Sequence, residues 1–218
     1  MVNKGFRHLP EYLPPARQRA LLETLRAVIA AAPLYTPVMP RTGRPLSVAM
    51  TNCGALGWIS DRAGYRYQAT HPATGRSWPP IPPMLLEIWR EIAEYPAPPE
   101  AVLINYYGPG ARMGLHQDRD EADLAAPVLS LSLGDACRFR LGGTRRADPV
   151  RTLRLASGDA LILAGGDRLA FHGVARIEAG TSTLLAEGGR FNLTLRRVTA
   201  PPPSGQKGEL TAADRVSI

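Results

Sequence analysis

The chain is poor in several residues that commonly staple a fold or decorate its surface. It has two cysteines, Cys53 and Cys137, among 218 residues, which excludes a disulfide scaffold. Neither has a Cys or His partner at metal-ligand spacing, so both read as buried packing residues. No apolar run approaches the ~18 residues of a membrane span, and the N-terminus carries no signal-peptide h-region. The expected setting is therefore cytoplasmic, with no membrane partner and a monomer as the default. Lysine is nearly absent: Lys4 and Lys207 stand against 24 arginines. With so many Ala, Gly and Pro, that bias is what a skewed coding-sequence base composition produces, and it does not by itself signal function. The net charge of +7 is also uneven. Residues 1–44 hold seven basic and two acidic side chains, and the remaining 174 hold 19 and 17. Nucleic-acid binding does not follow from net charge, and a local patch would have to supply it.

Glycine and proline are abundant, at 21 each, so many turns are expected and an all-helical bundle is not. Residues 16–32 read as an amphipathic helix, with Leu21, Leu22, Leu25, Val28 and Ile29 on one face and prolines at both ends. A second helix is expected over residues 84–95. Residues 36–83 are rich in Gly, Pro and Thr and suggest short strands and loops. From residue 101 the apolar period becomes two. Strands are expected at Ala101–Tyr107, around Leu129–Leu133 and Cys137–Leu141, and at Leu153–Leu155, Ala160–Leu163, Leu169–His172 and Arg190–Arg197. The fold class is mainly β with flanking helices (α+β), a sandwich or jelly-roll. The expected division is a helical extension over 1–44, a catalytic domain over 45–200 and a mobile tail over 201–218.

With four histidines in the chain, His116-Gln117-Asp118 stands out. In a strand or its extension, i and i+2 share a face, so His116 and Asp118 can ligate one metal. His172, closing a later strand, would be a third ligand. Two His and one carboxylate on one face define the facial triad of non-haem Fe(II) oxygenases. His-x-Asp also arises by chance in many proteins, so a second signal is needed. In Arg190-Phe-Asn-Leu-Thr-Leu-Arg196 the apolar residues share one face, and Arg190, Asn192, Thr194 and Arg196 share the other. Such a face either meets water or lines a cavity. In a cavity, two arginines suit a short dicarboxylate. Asn105 and Tyr107, spaced i, i+2, would add neutral hydrogen bonds.

Five segments carry a resemblance to a known family: Ser47-Val-Ala-Met-Thr-Asn-Cys-Gly, Asn105-Tyr-Tyr-Gly-Pro-Gly-Ala, Leu115-His-Gln-Asp-Arg-Asp-Glu, Phe171-His-Gly and Arg190-Phe-Asn-Leu-Thr-Leu-Arg. Over about Ser47 to Arg197 the sequence resembles the AlkB family of Fe(II)/2-oxoglutarate-dependent dioxygenases, in particular the bacterial nucleic-acid demethylases. The resemblance implies a double-stranded β-helix core over 101–197 and a nucleotide-recognition lid over 45–83. It implies Fe(II), 2-oxoglutarate and O2, with His116, Asp118 and His172 as iron ligands. Arg190 would pair with the distal carboxylate of 2-oxoglutarate, and Asn105, Tyr107, Asn192 and Arg196 would add cosubstrate contacts. Met50, Trp58 and Tyr65 match lid positions, with Trp58 stacking on an extruded base and Tyr65 near its phosphate. Asp120, Glu121 and Arg146 match positions beside the substrate. The implied activity is oxidative demethylation of 1-methyladenine and 3-methylcytosine in DNA, single strands preferred and RNA possible as a substrate, releasing formaldehyde, succinate and CO2. Residues 1–44 show no resemblance. Leu163-Ala164-Gly165 stands where the family often has a bulky aromatic.

Three alternatives accompany this reading: the same chemistry on RNA, a protein or a small molecule; a metal- or oxoglutarate-sensing binder; and a structural jelly-roll without metal. For backbone contact the candidates are Arg138, Arg140, Arg145, Arg146, Arg151 and Arg154, which with Asp148 sum to +5.

Overall fold

The computed structural model describes residues 5–200. The tail assigned to 201–218 lies outside the described residues. In chain order the elements are β1 (Arg7–Leu9), α1 (Pro15–Ala31), β2 (Ala49–Gly54), β3 (Gly57–Asp61), β4 (Gly64–Gln68), α2 (Pro83–Ile92) and β5 (Ala101–Tyr107). Then come β6 (Met113–His116), β7 (Val128–Gly134), β8 (Ala136–Leu141), β9 (Arg151–Leu155), β10 (Ala160–Leu163), β11 (His172–Glu178) and β12 (Arg190–Arg196). A six-stranded major sheet runs β1-β10-β7-β12-β5-β2, a four-stranded minor sheet runs β6-β11-β8-β9, and β3-β4 form a separate hairpin. From β5 onward the chain passes repeatedly between the two sheets, which is the winding of a jelly-roll.

The period-two pattern explains the layering. Leu129, Leu131, Leu133, Leu193 and Leu195 face one side of the major sheet and join Leu21, Leu25, Leu85, Ile88 and Trp89 from the helices in one core cluster. The residues between them face the minor sheet. There Met50, Leu103, Tyr107, Leu161 and Leu163 meet Cys137, Phe139, Leu141, Leu155 and Val174 in a second cluster. Both cysteines are buried and free. Among the described residues no helix is long and apolar enough to cross a membrane.

The N-terminal segment takes part in this architecture. β1 pairs with β10 at the edge of the major sheet, and α1 packs Leu21, Leu22, Leu25 and Val28 into the outer core. Both helices begin at a proline, where the missing N–H is no loss. The strand expected at Leu169–His172 is displaced: His172 opens β11 and does not close a strand. Gly165–Asp167 form a tight turn. After it, the side chain of Arg168 is drawn into the interior by backbone carbonyls, which consumes the segment an edge strand would have used.

Candidate active site

The end of β6 and the start of β11 lie side by side, with His116 directly opposite His172. The close approach depends on Gly173, where a Cβ would sit 2.6 Å from the carbonyl oxygens of Met113 and Gly114. His116 Nε2 lies 3.8 Å from Asp118 Oδ1, and His172 Nε2 lies 3.7 Å from Asp118 Oδ2. The three ligand atoms fall within 4.8 Å of one another. Each imidazole is oriented through its other nitrogen. His116 Nδ1 is 3.0 Å from the Gly114 carbonyl and His172 Nδ1 is 2.9 Å from the Ala170 carbonyl. A carbonyl only accepts, so each Nδ1 carries the proton and each Nε2 lone pair is left for a metal. The ring of Phe139 stacks on His172 at 5.9 Å.

Electrostatics support the same reading. Burial alone would raise the Asp118 carboxyl, but Arg196, His172 and His116 outweigh it and hold the group well below the usual carboxylate range. Arg196 Nη2 donates to Asp118 Oδ2 at 2.8 Å. Burial pushes His172 down to about 4, against the pull of Asp118. Near neutral pH the set is thus an anionic carboxylate and a neutral buried imidazole with its lone pair free, the form a divalent cation requires.

The polar face of β12 is largely turned away from water, with Asn192 half-buried. Arg190, Thr194 and Arg196 are buried. Arg190 lies opposite Tyr107 on β5 and Gly134 on β7, and Asn192 lies opposite Asn105 and Ser132. These residues line the interior between the sheets. Arg190 is 1% exposed, and its guanidinium donates to the carbonyls of Asp135 and Leu155 and to Ser132 Oγ. It meets no carboxylate among the described residues, and its Nε has no partner. Asn105 Oδ1, across the sheet, is also buried without a partner. The Tyr107 hydroxyl, kept protonated by burial, has a sulfur of Met113 at 3.7 Å as its contact.

The sequence profile of the 2OG-Fe(II) oxygenase superfamily matches residues 5–196. The chain is 55% identical over 196 residues to an alpha-ketoglutarate-dependent dioxygenase AlkB homologue of Caulobacter vibrioides, covering 90% of this chain and 89% of that one. It belongs to the AlkB family of 2OG-Fe(II) oxygenases. The match beginning at residue 5 corrects the expectation that residues 1–44 lack resemblance, and β1 and α1 are the structural reason. The solved structure of OsALKBH1 is similar with a TM-score of 0.77 and 30% identity, covering 90% of this chain and 98% of that chain. More distantly, 109 residues align at 41% identity with a DNA N(6)-methyladenine demethylase of Arabidopsis thaliana, covering 45% of this chain and 24% of that one.

As an AlkB-family member the protein is an Fe(II)- and 2-oxoglutarate-dependent dioxygenase, and the residues fit both groups. Two imidazoles with fixed tautomers and one carboxylate converge where iron would bind. A buried guanidinium without a counter-ion is costly unless an anion pairs with it, so Arg190, with the orphan acceptor of Asn105 and the Tyr107 hydroxyl nearby, suits a carboxylate-bearing cosubstrate. Arg196 also meets the metal-ligand segment. Its guanidinium is taken up by Asp118 and by Glu121, 3.3 Å from Nε. It therefore stands at the metal end of β12, with Arg190 at the other end.

The lid residues divide into open and buried. Trp58 on β3 and Tyr65 on β4 stack with ring centroids 5.5 Å apart and planes 17° from parallel, and Tyr65 is 54% exposed. Trp58 Nε1 donates to Asp120 at 2.8 Å. Met50 is buried on β2, opposite Asn105. Glu121 is buried too, bonded by Arg168 Nη2 at 3.0 Å and by the Tyr67 hydroxyl. Its charge is already matched, so Asp120 is the carboxylate left at the open edge. Arg146 is exposed, reaches the Leu115 carbonyl and lies 5.6 Å over the Phe171 ring. Arg168 and Tyr67 were not legible as site residues. Arg168 also donates to the Asp118 carbonyl at 2.6 Å, and no pattern in Gly-Gly-Asp-Arg announces an inward arginine.

Proposed function

We propose that the protein oxidatively demethylates alkylated bases in nucleic acid, with 1-methyladenine and 3-methylcytosine in single-stranded DNA as preferred lesions. The observation that carries this is the juxtaposition of the His116–Asp118–His172 centre with an aromatic pair, half-buried Trp58 and exposed Tyr65, tied to the metal-ligand segment through Asp120. Membership of the AlkB family and the Arabidopsis DNA demethylase relative support the same substrate class.

Iron, when bound with 2-oxoglutarate and O2, supplies the oxidation of the N-methyl carbon; succinate, CO2 and, from the unstable hydroxymethyl base, formaldehyde are the products. The chain's own residues do the rest. His116, Asp118 and His172 would hold the metal and leave its remaining positions for cosubstrate and O2. Arg196 fixes the rotamer of Asp118. Arg190, Tyr107, Asn105 and Asn192 orient the cosubstrate. Trp58 stacks on the flipped base, a contact worth roughly 1–3 kcal/mol, and Tyr65 reaches its phosphate. Met50 forms the floor under the lid, and Arg146 meets the neighbouring backbone. Both lesions are cationic with a blocked pairing edge, so Asp120 favours them and flipping costs less.

Residues 45–83 act as the recognition lid of a catalytic domain spanning 45–200, braced by residues 1–44, in a cytoplasmic monomer. The test is mass spectrometry of an oligonucleotide carrying one 3-methylcytosine beside the free methylated nucleoside. Loss of the methyl group from the oligonucleotide at much higher kcat/KM supports the reading. Equal activity on the nucleoside would reject nucleic acid as the substrate.

A further inference from the structure

The outer face of the minor sheet carries a row of arginines that the reaction leaves unused. Arg176 on β11 lies opposite Arg138 on β8, and Arg138 lies opposite Arg154 on β9. The three therefore stand abreast over about 10 Å of sheet, two inter-strand spacings. Arg140 stands two residues along β8, between Gly173 and Thr152. On the reverse face of the same strands, Cys137, Phe139, Val174 and Leu155 are buried in the inner core. Alternation accounts for polar residues at the outer positions, but not for four cations there. Like charges directly opposite one another destabilise a sheet. One carboxylate meets the row: Glu178 bridges Arg138 at 2.5 Å and Arg154 at 2.7 Å. Arg140 and Arg176 are exposed and have no salt-bridge partner among the described residues. Four arginines and one glutamate leave +3 on this face. An arginine-rich composition explains arginine in place of lysine, and leaves the clustering unexplained.

The patch lies next to the active site across the sheet. Leu141 lies opposite His172, so Arg140 is one residue from the metal-ligand row, on the other side of the sheet. The turn from β8 to β9 carries exposed Arg146 round the end of that sheet. Two of the candidates expected for backbone contact are separate from this face. Arg145 is engaged by Asp148 at 3.0 Å, and Arg151 lies over the Phe6 ring at 4.8 Å.

We infer that the outer face of the minor sheet is a second nucleic-acid contact, a track on which Arg138, Arg140, Arg154 and Arg176 hold the phosphodiester backbone of the strand leaving the active site. The inference rests on the nucleic-acid reading of the substrate. An anionic membrane would also attract the face, but a compact cluster of four arginines beside the turn that carries Arg146 to the site matches a single strand better than a plane of headgroups.

The test is fluorescence anisotropy with lesion-free single strands of about 5 and about 25 nucleotides, which needs no turnover. Each phosphate contact on single strands contributes about 0.7 to the slope of log K against log salt. The double variant Arg140→Gln/Arg176→Gln should therefore lose about 1.4 from the slope on the long strand. Between about 50 and 200 mM salt the wild type should then weaken about seven-fold more than the variant. Arg140→Lys/Arg176→Lys should restore the slope, which a variant damaged in folding would not do. An unchanged slope and affinity for the long strand would overturn the inference. So would wild-type protein that binds anionic phospholipid vesicles and no oligonucleotide. Absence of demethylation with intact, slope-dependent binding would reject the substrate reading and leave the track standing.

Discussion

Replacing Arg190 by glutamine should uncouple cosubstrate binding from the rest of the molecule. Arg190 is 1% exposed, and its neighbours supply carbonyls and a hydroxyl but no carboxylate among the described residues. An incoming carboxylate would be its counter-ion. Removing one member of such a buried pair costs about 3–5 kcal/mol, and about 1.4 kcal/mol is a factor of ten, so the Kd for 2-oxoglutarate should rise at least about 100-fold. Differential scanning calorimetry with a redox-inert divalent metal reads this without turnover. At a ligand concentration about 100 times the wild-type Kd, the wild type gains about 2.7 kcal/mol of stability, while a variant weakened 100-fold gains about 0.4 kcal/mol. Arg190→Lys keeps the charge but loses the fork, and should fall between them. A glutamine variant stabilised by 2-oxoglutarate as much as the wild type would refute the argument that this guanidinium awaits an anion.

Other residues give distinct signatures. Asp118→Asn should abolish stable iron binding and leave buried Arg196 short of a counter-charge, at a cost of about 3–5 kcal/mol in the metal-free protein; metal analysis and urea unfolding read the two effects separately. Trp58→Ala should raise KM for a methylated oligonucleotide by about 5- to 150-fold, the equivalent of about 1–3 kcal/mol of stacking, without changing the affinity for 2-oxoglutarate measured by calorimetry. Tyr67→Phe removes a hydrogen bond from buried Glu121 and should cost about 1–3 kcal/mol of stability by denaturant titration, again with cosubstrate affinity unchanged.

Much of the scaffold was legible because its signals are periodic. Alternation placed β5 and β10 at their observed bounds, and the helix with Leu21, Leu22, Leu25 and Val28 inward came within a residue of α1. Elements without a pattern of their own were not legible. Three residues of β1 carry too little pattern, and β1 exists because the edge of β10 is there to pair with it. The strand misplaced before His172 has the same kind of cause: Arg168 answers to carbonyls of Ala126 and Asp118 that are distant in sequence. At the site, residue types and spacing gave the candidate ligand triad, and left open whether the polar face of β12 meets water or lines a cavity. They could not show which arginine would find a carboxylate. Arg190 and Arg196 look equivalent in sequence, yet tertiary packing leaves the first without a counter-ion and gives the second two. In the same way Asp120 and Glu121 are adjacent, but the buried cations Arg168 and Arg196 claim Glu121 alone.

This site turns iron, 2-oxoglutarate and O2 toward an N-methyl group on a nucleic-acid base. The most direct test measures formaldehyde and succinate together, using a single-stranded oligonucleotide with one 3-methylcytosine, omitting Fe(II) or 2-oxoglutarate in turn, with Asp118→Ala as the control. Equal amounts of both products are expected, dependent on both additions and lost in the variant. Succinate without formaldehyde, from folded and iron-loaded protein, would contradict this expectation.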